Sequence, residues 1–260
     1  MIFSKEALTG EHILISGGCG ALGLAIVKKL VECGARVTVN DVLSAEIAHE
    51  RLAESDIPAE VVTYFQADTT SPAQVKSLLD HAEQVFGFVT TGLCHVGMVV
   101  SGSILNFDAD TFDEVMAVNV RSAFLLAKEV SQRAIAAKRA AHLIFTTSWV
   151  AVIPWPEIGP YITSKAAMNQ LMRTFARELA PHGIRANAIA PGIVGAGMAL
   201  RQWNTQPDYR ARATKAIPLG YLQPTESVAD TFVFLCSPAA SYMTGSILTV
   251  DGGASLYPMD

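Results

Sequence analysis

The chain has 260 residues, half of them hydrophobic and 17% charged, with 19 basic against 24 acidic residues and a net charge of −5. That balance excludes a disordered chain and leaves no basic footprint for nucleic acid. Its four cysteines, Cys19, Cys33, Cys94 and Cys236, lack CxxC or metal-ligand spacing, so a reduced cytoplasmic chain without a metal site is expected.

Taken in order, the chain begins without a basic region leading into an unbroken apolar stretch, so no signal peptide is expected. HILIS (12–16) reads as a strand, with a helix over roughly 20–33. RVTVND (36–41) is a second strand, and a helix rich in Ala, Glu and His follows. VVTYFQ (61–66) is a third, backed by the helix PAQVKSLLDHAEQVF. The stretch 86–105 has no Asp, Glu, Lys or Arg, but its glycines and His95 suit a buried strand and loop better than a membrane span. GLCHVG marks the fourth strand within it. A long helix around 111–138, a strand AHLIFTTS (141–148) and a second long helix from about 161 to 180 come next. IRANAIA (184–190), a helix near 225–236 and SILTVDGG (246–253) complete the pattern. The stretch 195–220, with Gly, Pro, Arg and Trp, breaks the alternation and reads as an inserted lid. Strands apolar on both faces, alternating with helices, predict one doubly wound α/β domain over 1–260, with a parallel seven-stranded sheet covered on both sides.

Three motifs carry chemistry. SGGCGALG (16–23) follows the first strand and opens a helix, an arrangement that brings backbone amides and the helix dipole to a pyrophosphate. It lacks the Lys-Ser/Thr pair of a P-loop. Asp41 ends the second strand, where a carboxylate accepts hydrogen bonds from ribose hydroxyls and repels a 2′-phosphate. Cys19 and Gly20 in the turn and Val42 after the aspartate are not basic, so the site favours NAD over NADP. In YITSK, Tyr161 and Lys165 stand four apart, on one helix face, where an ammonium beside a phenol favours the phenolate.

With these parts in register, residues 8–257 resemble the classical short-chain dehydrogenase/reductase family. SGGCGALG resembles its cofactor turn, with Ala21 in place of the middle glycine. VMAVNV (115–120) resembles the asparagine-bearing helix, LIFTTS the strand ending in the catalytic serine, and YITSK the YxxxK motif, 13 residues beyond that serine. The resemblance implies a Rossmann-type domain, a homotetramer and Asn119, Ser148, Tyr161 and Lys165 as the catalytic set. It implies cofactor contacts at Gly17, Leu22, Gly23, Asp41, Asp68, Thr69, Cys94, Gly97, Pro191, Gly192 and Val194, besides Tyr161 and Lys165. Tyr161 would take the hydroxyl proton, Ser148 bind the reacting oxygen, Lys165 hold the nicotinamide ribose and Asn119 hold a water. Three departures stand out: Cys94-His95-Val96-Gly97 where the family has NNAG, Ala196 where a threonine commonly follows the PG turn, and Thr90 where an aspartate precedes the fourth strand. His95 reads as a histidine packed at a strand end.

The expected activity is NAD-dependent oxidation of a secondary alcohol, a small-molecule sugar, polyol or other cyclic alcohol. Trp149, Trp155, Trp203 and Met198 fall in segments expected to wall a substrate pocket, while Arg201, Arg210, Arg212 and Lys215 could meet an acidic group. A carbonyl reductase, such as a 3-oxoacyl carrier-protein reductase, and a catalytically silent NAD-binding regulator are the competing readings.

Overall fold

The computed structural model describes residues 4–256; Tyr257 and Pro258 of the DGGASLYP ending lie outside the described residues. Seven parallel strands form one sheet in the order β3-β2-β1-β4-β5-β6-β7. They are β1 (His12–Ser16), β2 (Arg36–Asp41), β3 (Val62–Gln66), β4 (Thr91–Cys94), β5 (Ala141–Thr146), β6 (Ile184–Pro191) and β7 (Ile247–Val250). Helices α1 (Ala21–Glu32), α2 (Ala45–Glu54), α3 (Pro72–Phe86), α4 (Ala109–Met116), α5 (Ser122–Ala137), α6 (Gly159–Leu179) and α9 (Thr225–Cys236) cover it, and α7 (Gly197–Thr205) and α8 (Pro207–Ala216) form the lid.

The two-sided burial follows from side-chain alternation along central strands that carry apolar residues on both faces. On β1, Ile13 and Ile15 join a core with Ile26, Leu30 and Phe232 from α1 and α9. Leu14, between them, faces a second core with Leu126, Val130, Met168 and Met172 from α5 and α6. On β5, Ile144 belongs to the first and Leu143 and Phe145 to the second. A third cluster joins Trp149, Trp155, Ile193, Tyr209, Ala213 and Ile217 beneath the lid.

Three strand ends fall short of the sequence expectation. β4 stops at Cys94, β5 at Thr146 and β7 at Val250, so His95–Gly97, Ser148 and the Asp251-Gly252-Gly253 turn lie in loops beyond the sheet. These loops share the carboxyl edge, and the order switches direction between β1 and β4, which is where open α/β sheets place ligands.

The expected long helix around 111–138 is broken. A π-type turn over Ala117–Arg121 joins α4 to α5, with Asn119 inside it. The register shift turns Asn119 toward the sheet edge: its amide nitrogen donates to the Met98 carbonyl at 3.0 Å and to Ser164 Oγ at 2.8 Å, and its Oδ1 accepts from the Met98 amide at 2.8 Å. π-bulges of this kind recur at functional sites. The aspartate lost before β4 has a substitute. Thr90 Oγ1 donates to Glu11 at 2.5 Å and accepts from the His12 amide at 3.1 Å, tying the start of β4 to β1.

Candidate active site

A cavity of about 670 Å³ opens at the carboxyl edge of β1, β2, β4, β5 and β6. One end is built by the turn after β1. Gly17 has φ +70°, and a Cβ on it would sit 2.9 Å from the Val96 Cα. A Cβ on Gly23 would meet the Gly17 carbonyl at 2.5 Å, so only glycine lets α1 pack on the turn. Gly20 caps α1 without a side-chain hydrogen bond, and no acidic residue sits in the first turn. The amides and dipole of that helix end are left to an anionic group. These features fit a dinucleotide pyrophosphate.

Asp41 lines the same end. Its Oδ1 accepts from the Val42 amide at 2.8 Å and Oδ2 from the Cys19 amide at 3.3 Å, which aims the carboxylate along the turn. Asp68 and Thr69 line the neighbouring wall, Asp68 accepting from both the Thr70 amide and hydroxyl at 2.8 Å. Arg51, which the sequence reading passed over, donates from α2 to the Cys19 carbonyl at 3.1 Å. Leu22, Gly97, Gly192 and Val194 also line the cavity. Gly192 packs where a Cβ would lie 2.7 Å from the Asp251 Cα, and Gln223 Oε1 accepts its amide proton at 2.8 Å.

Three residues assigned to cofactor contact, Cys94, Pro191 and Lys165, are not on the wall. Cys94 is 1% exposed, its thiol donating to the Ala123 carbonyl at 3.5 Å within the core under α5. Being the last residue of β4, it points to the covered face, and burial raises the thiol to about 12. Pro191 ends β6 and is likewise buried, while Gly192 turns into the cavity. His95 takes the place vacated by Cys94. Its amide donates to Ser16 Oγ at 3.1 Å, its Nδ1 lies 2.9 Å from Thr146 Oγ1, and its ring stands edge-on to Phe232. It lines the wall as a strand-end packing group. Burial, reinforced by Lys165, depresses it to about 3, so the imidazole is neutral.

Beyond the turn stand Ser148, Tyr161 and Lys165. Ser148 follows β5, and Tyr161 and Lys165 project from the first turns of α6. Ser148 and Tyr161 both line the cavity, with the serine side chain near enough to the phenol to favour its ionised form. Lys165 is 3% exposed and lies one layer behind, its Nζ donating to the Thr146 carbonyl at 2.8 Å and standing 5.5 Å from the Tyr161 ring centre. Only a glycine at position 97 separates it from the cavity: a Cβ there would lie 3.3 Å from the Nζ. Asn119 is fully buried in the same layer. Both its donors are used, so its side chain clamps the loop after β4 to α6.

The electrostatics differ from the sequence expectation at one point. Burial raises the Tyr161 phenol, partly offset by the Ser148 side chain, and Lys165 is not among the causes. Lys165 itself is pulled down to about 8 by burial.

Of the expected substrate wall, Trp149, Trp155 and Met198 reach the cavity. The two tryptophans stand edge-to-face at 5.4 Å. Trp203 does not; on α7 it packs against the cluster beneath the lid. Of the four basic lid residues only Arg212 lines the cavity. The helical phase of Tyr209, Arg212, Ala213 and Ala216, at spacings of three and four, was the sequence signal that distinguishes it.

Comparison with known proteins agrees with this architecture. A family model described as enoyl-(acyl carrier protein) reductase matches residues 8–255. The chain is 32% identical over 255 residues to a protein named 2-(S)-hydroxypropyl-CoM dehydrogenase 3 from Xanthobacter autotrophicus, covering 96% of this chain and 98% of that one. It is 31% identical over 253 residues to a 3beta-hydroxysteroid dehydrogenase 1 from Eggerthella lenta, covering 97% of each. The crystal structure of a short-chain type dehydrogenase/reductase from Mycobacterium marinum superposes with a TM-score of 0.86 at 28% identity, over 99% of this chain and 100% of that one. Members of the family typically use a nicotinamide cofactor. From its sheet, its glycine turn and its Ser148–Tyr161–Lys165 constellation to these relatives, the chain belongs to the classical short-chain dehydrogenase/reductase family.

Proposed function

We propose that the protein oxidises a secondary alcohol to a ketone with NAD, Tyr161 serving as general base. The observation that carries the reading is Ser148 and Tyr161 together on the cavity wall, with Lys165 buried behind them and the glycine turn at the other end. The bound nicotinamide would supply the hydride acceptor. Ser148 donates to the alcohol oxygen and fixes it against the Tyr161 oxygen. Tyr161, once ionised with the help of the Lys165 charge and the bound cofactor, would take the hydroxyl proton while the carbinol hydride passes to the nicotinamide. Lys165 is charged below about pH 8, and with only Gly97 between its Nζ and the cavity it would hold the cofactor ribose there. Positioned acid–base groups contribute roughly 10²–10⁴-fold.

Asp41 on the wall supports NAD, because its carboxylate would accept from both ribose hydroxyls and repel a phosphate. Arg51 favours a second reading, an NADP-dependent carbonyl reductase, since it brings a guanidinium to the same turn. Its donation to Cys19 and its place off the cavity wall weigh against that role. The Trp149, Trp155 and Met198 wall supports an alcohol on a ring or other apolar frame among the sugars, polyols and cyclic alcohols. The relative named as a hydroxysteroid dehydrogenase agrees with the ring preference.

Two further expectations remain proposals. Half-exposed Phe112, Phe124 and Ile135 on α4 and α5 give an apolar face that supports a homotetramer, which light scattering on the purified chain tests directly. All four cysteines are buried and unpaired, which supports a cytoplasmic location, and among the described residues no helix is long and apolar enough to cross a membrane. The activity test is reduction of NAD and, separately, NADP across sugars, polyols, cyclic alcohols and hydroxysteroids. Turnover with NAD is expected, and turnover with NADP alone overturns the assignment of Asp41.

A further inference from the structure

α8 presents Tyr209, Ala213 and Ala216 to the interior and turns Arg210 and Lys215 outward. Arg212 falls between these faces, and its side chain bends to the cavity. Its guanidinium carbon lies 5.2 Å from the centre of the Trp155 ring. Trp155 is 7% exposed and wedged between Trp149 and Tyr209, at 5.4 and 6.2 Å, so the surface under the guanidinium is rigid. Stacking of this kind pre-organises the planar fork that matches an oxyacid anion.

The fork is underused. Among the described residues Arg212 donates no hydrogen bond, and its Nε is shut from solvent without a partner. Its charge is met only by Glu157, 3.8 Å away, beyond hydrogen-bond reach. The Glu157 side chain is 63% exposed and is free to turn to water. Its backbone is not free: φ is +66°, a region few side chains adopt, and its carbonyl is held by the Gly102 amide at 2.8 Å. A fixed guanidinium with idle donors thus faces the cavity that holds Ser148 and Tyr161, and its one counterion is loose.

We propose that Arg212 is a specificity-determining residue: the alcohol oxidised here carries an oxyacid group, carboxylate, sulfonate or phosphate, which Arg212 binds while the carbinol lies at Ser148 and Tyr161. The inference rests on the dehydrogenase reading for the carbinol end only. An anion at Arg212 displaces Glu157 into solvent and accepts from the open Nη donors. The apolar frame of the substrate then lies along Trp155 and Trp149.

The test is matched pairs on the full chain: 4-hydroxycyclohexanecarboxylate against 4-hydroxycyclohexanecarboxamide, and 3-hydroxybutyrate against its methyl ester. Equilibrium binding to the NAD-saturated protein is read by calorimetry, and turnover is read beside it. In the native protein at least one acid is expected to bind tenfold or more tighter than its neutral partner. Arg212→Gln should erase that preference by raising KM for the acid while leaving kcat and the neutral partner nearly unchanged, and Arg212→Lys should restore part of it. Equal binding of acid and neutral partners, no binding of any probe, or a preference that survives Arg212→Gln overturns the proposal. Should Arg212→Gln fail to fold, the native preference and Arg212→Lys decide the matter. If Glu157→Gln and Arg212→Gln impair the neutral alcohol equally, the pair is a latch between lid and loop and the proposal fails. Anion-selective binding without any turnover would leave Arg212 standing and defeat the dehydrogenase reading instead.

Discussion

Lys165 shows how a charged group is held against its own preference. Burial lowers it from 10.5 to about 8, so the folded state binds fewer protons than the unfolded chain between those values. Stability therefore rises with pH from about 8 to about 10.5, and at neutral pH the buried charge costs on the order of 3 kcal/mol. Lys165→Met should abolish turnover yet raise the melting temperature at pH 7 by several degrees, and that gain should shrink toward pH 10. A melting temperature lowered at pH 7 would show that the bond to Thr146 outweighs burial. Asp41 allows a sharper test of the cofactor end. Removing a charged acceptor of ribose hydroxyls costs ~1.5–3 kcal/mol, so Asp41→Ala should weaken NAD binding about 10- to 100-fold by calorimetry and leave NADP binding the same or tighter. Sequence alone carried these residues far, because YITSK, the preceding serine and the aspartate after the second strand are local patterns with fixed spacing. It could not foresee that the phenol is pushed up rather than down. The causes of that shift are the walls around it, contributed by residues distant in the chain. Cys94 lies off the wall for a related reason: as the last residue of β4 it faces the core under α5, and side-chain alternation puts His95 on the cavity side.

At the scale of elements, the π-type turn over Ala117–Arg121 does what no periodicity reveals. Apolar spacing across 111–138 reads as one helix, since a single extra residue leaves the pattern nearly intact on either side. The consequence is the Asn119 clamp on Met98 and Ser164. Asn119→Ala strands the half-buried Met98 amide and carbonyl, and a loss of roughly 2–3 kcal/mol is expected. At this chain length that lowers the melting temperature by about 5–10 °C. An unchanged melting temperature would mean the loop after β4 is held by other contacts. The lid was legible only as an interruption. Its two helices have weak apolar faces, so the sequence separated it from the strand–helix alternation without showing that Trp203 packs beneath it and Arg212 points inward.

For the molecule as a whole, the doubly wound sheet was the most legible feature, because seven largely apolar runs alternate with amphipathic ones and the central strands are buried on both faces. Less legible is what the sheet does to the polar groups it encloses. His142 on β5 is 4% exposed, touches Asn187 at 2.9 Å through Nε2 and has no partner on Nδ1. Burial holds it at about 3, with Arg185 adding to the depression. The folded state thus binds fewer protons than the unfolded chain between about 3 and 6.5. Its contribution is complete above 6.5 and is lost as pH falls. His142→Leu, in which Asn187 keeps its bond to the Met243 carbonyl, should flatten the decline of stability between pH 6 and 4 by up to ~1.4 kcal/mol per pH unit. Denaturant titrations at three pH values read the difference. The central claim is that one fold brings a dinucleotide turn and a Ser148–Tyr161 pair into one cavity to oxidise an alcohol. Comparing the native protein with Tyr161→Phe tests it most directly, reading NAD binding by calorimetry and NADH formation across the alcohol panel. The account predicts unchanged NAD affinity with turnover reduced at least 10²-fold; undiminished turnover in the phenylalanine variant would contradict it.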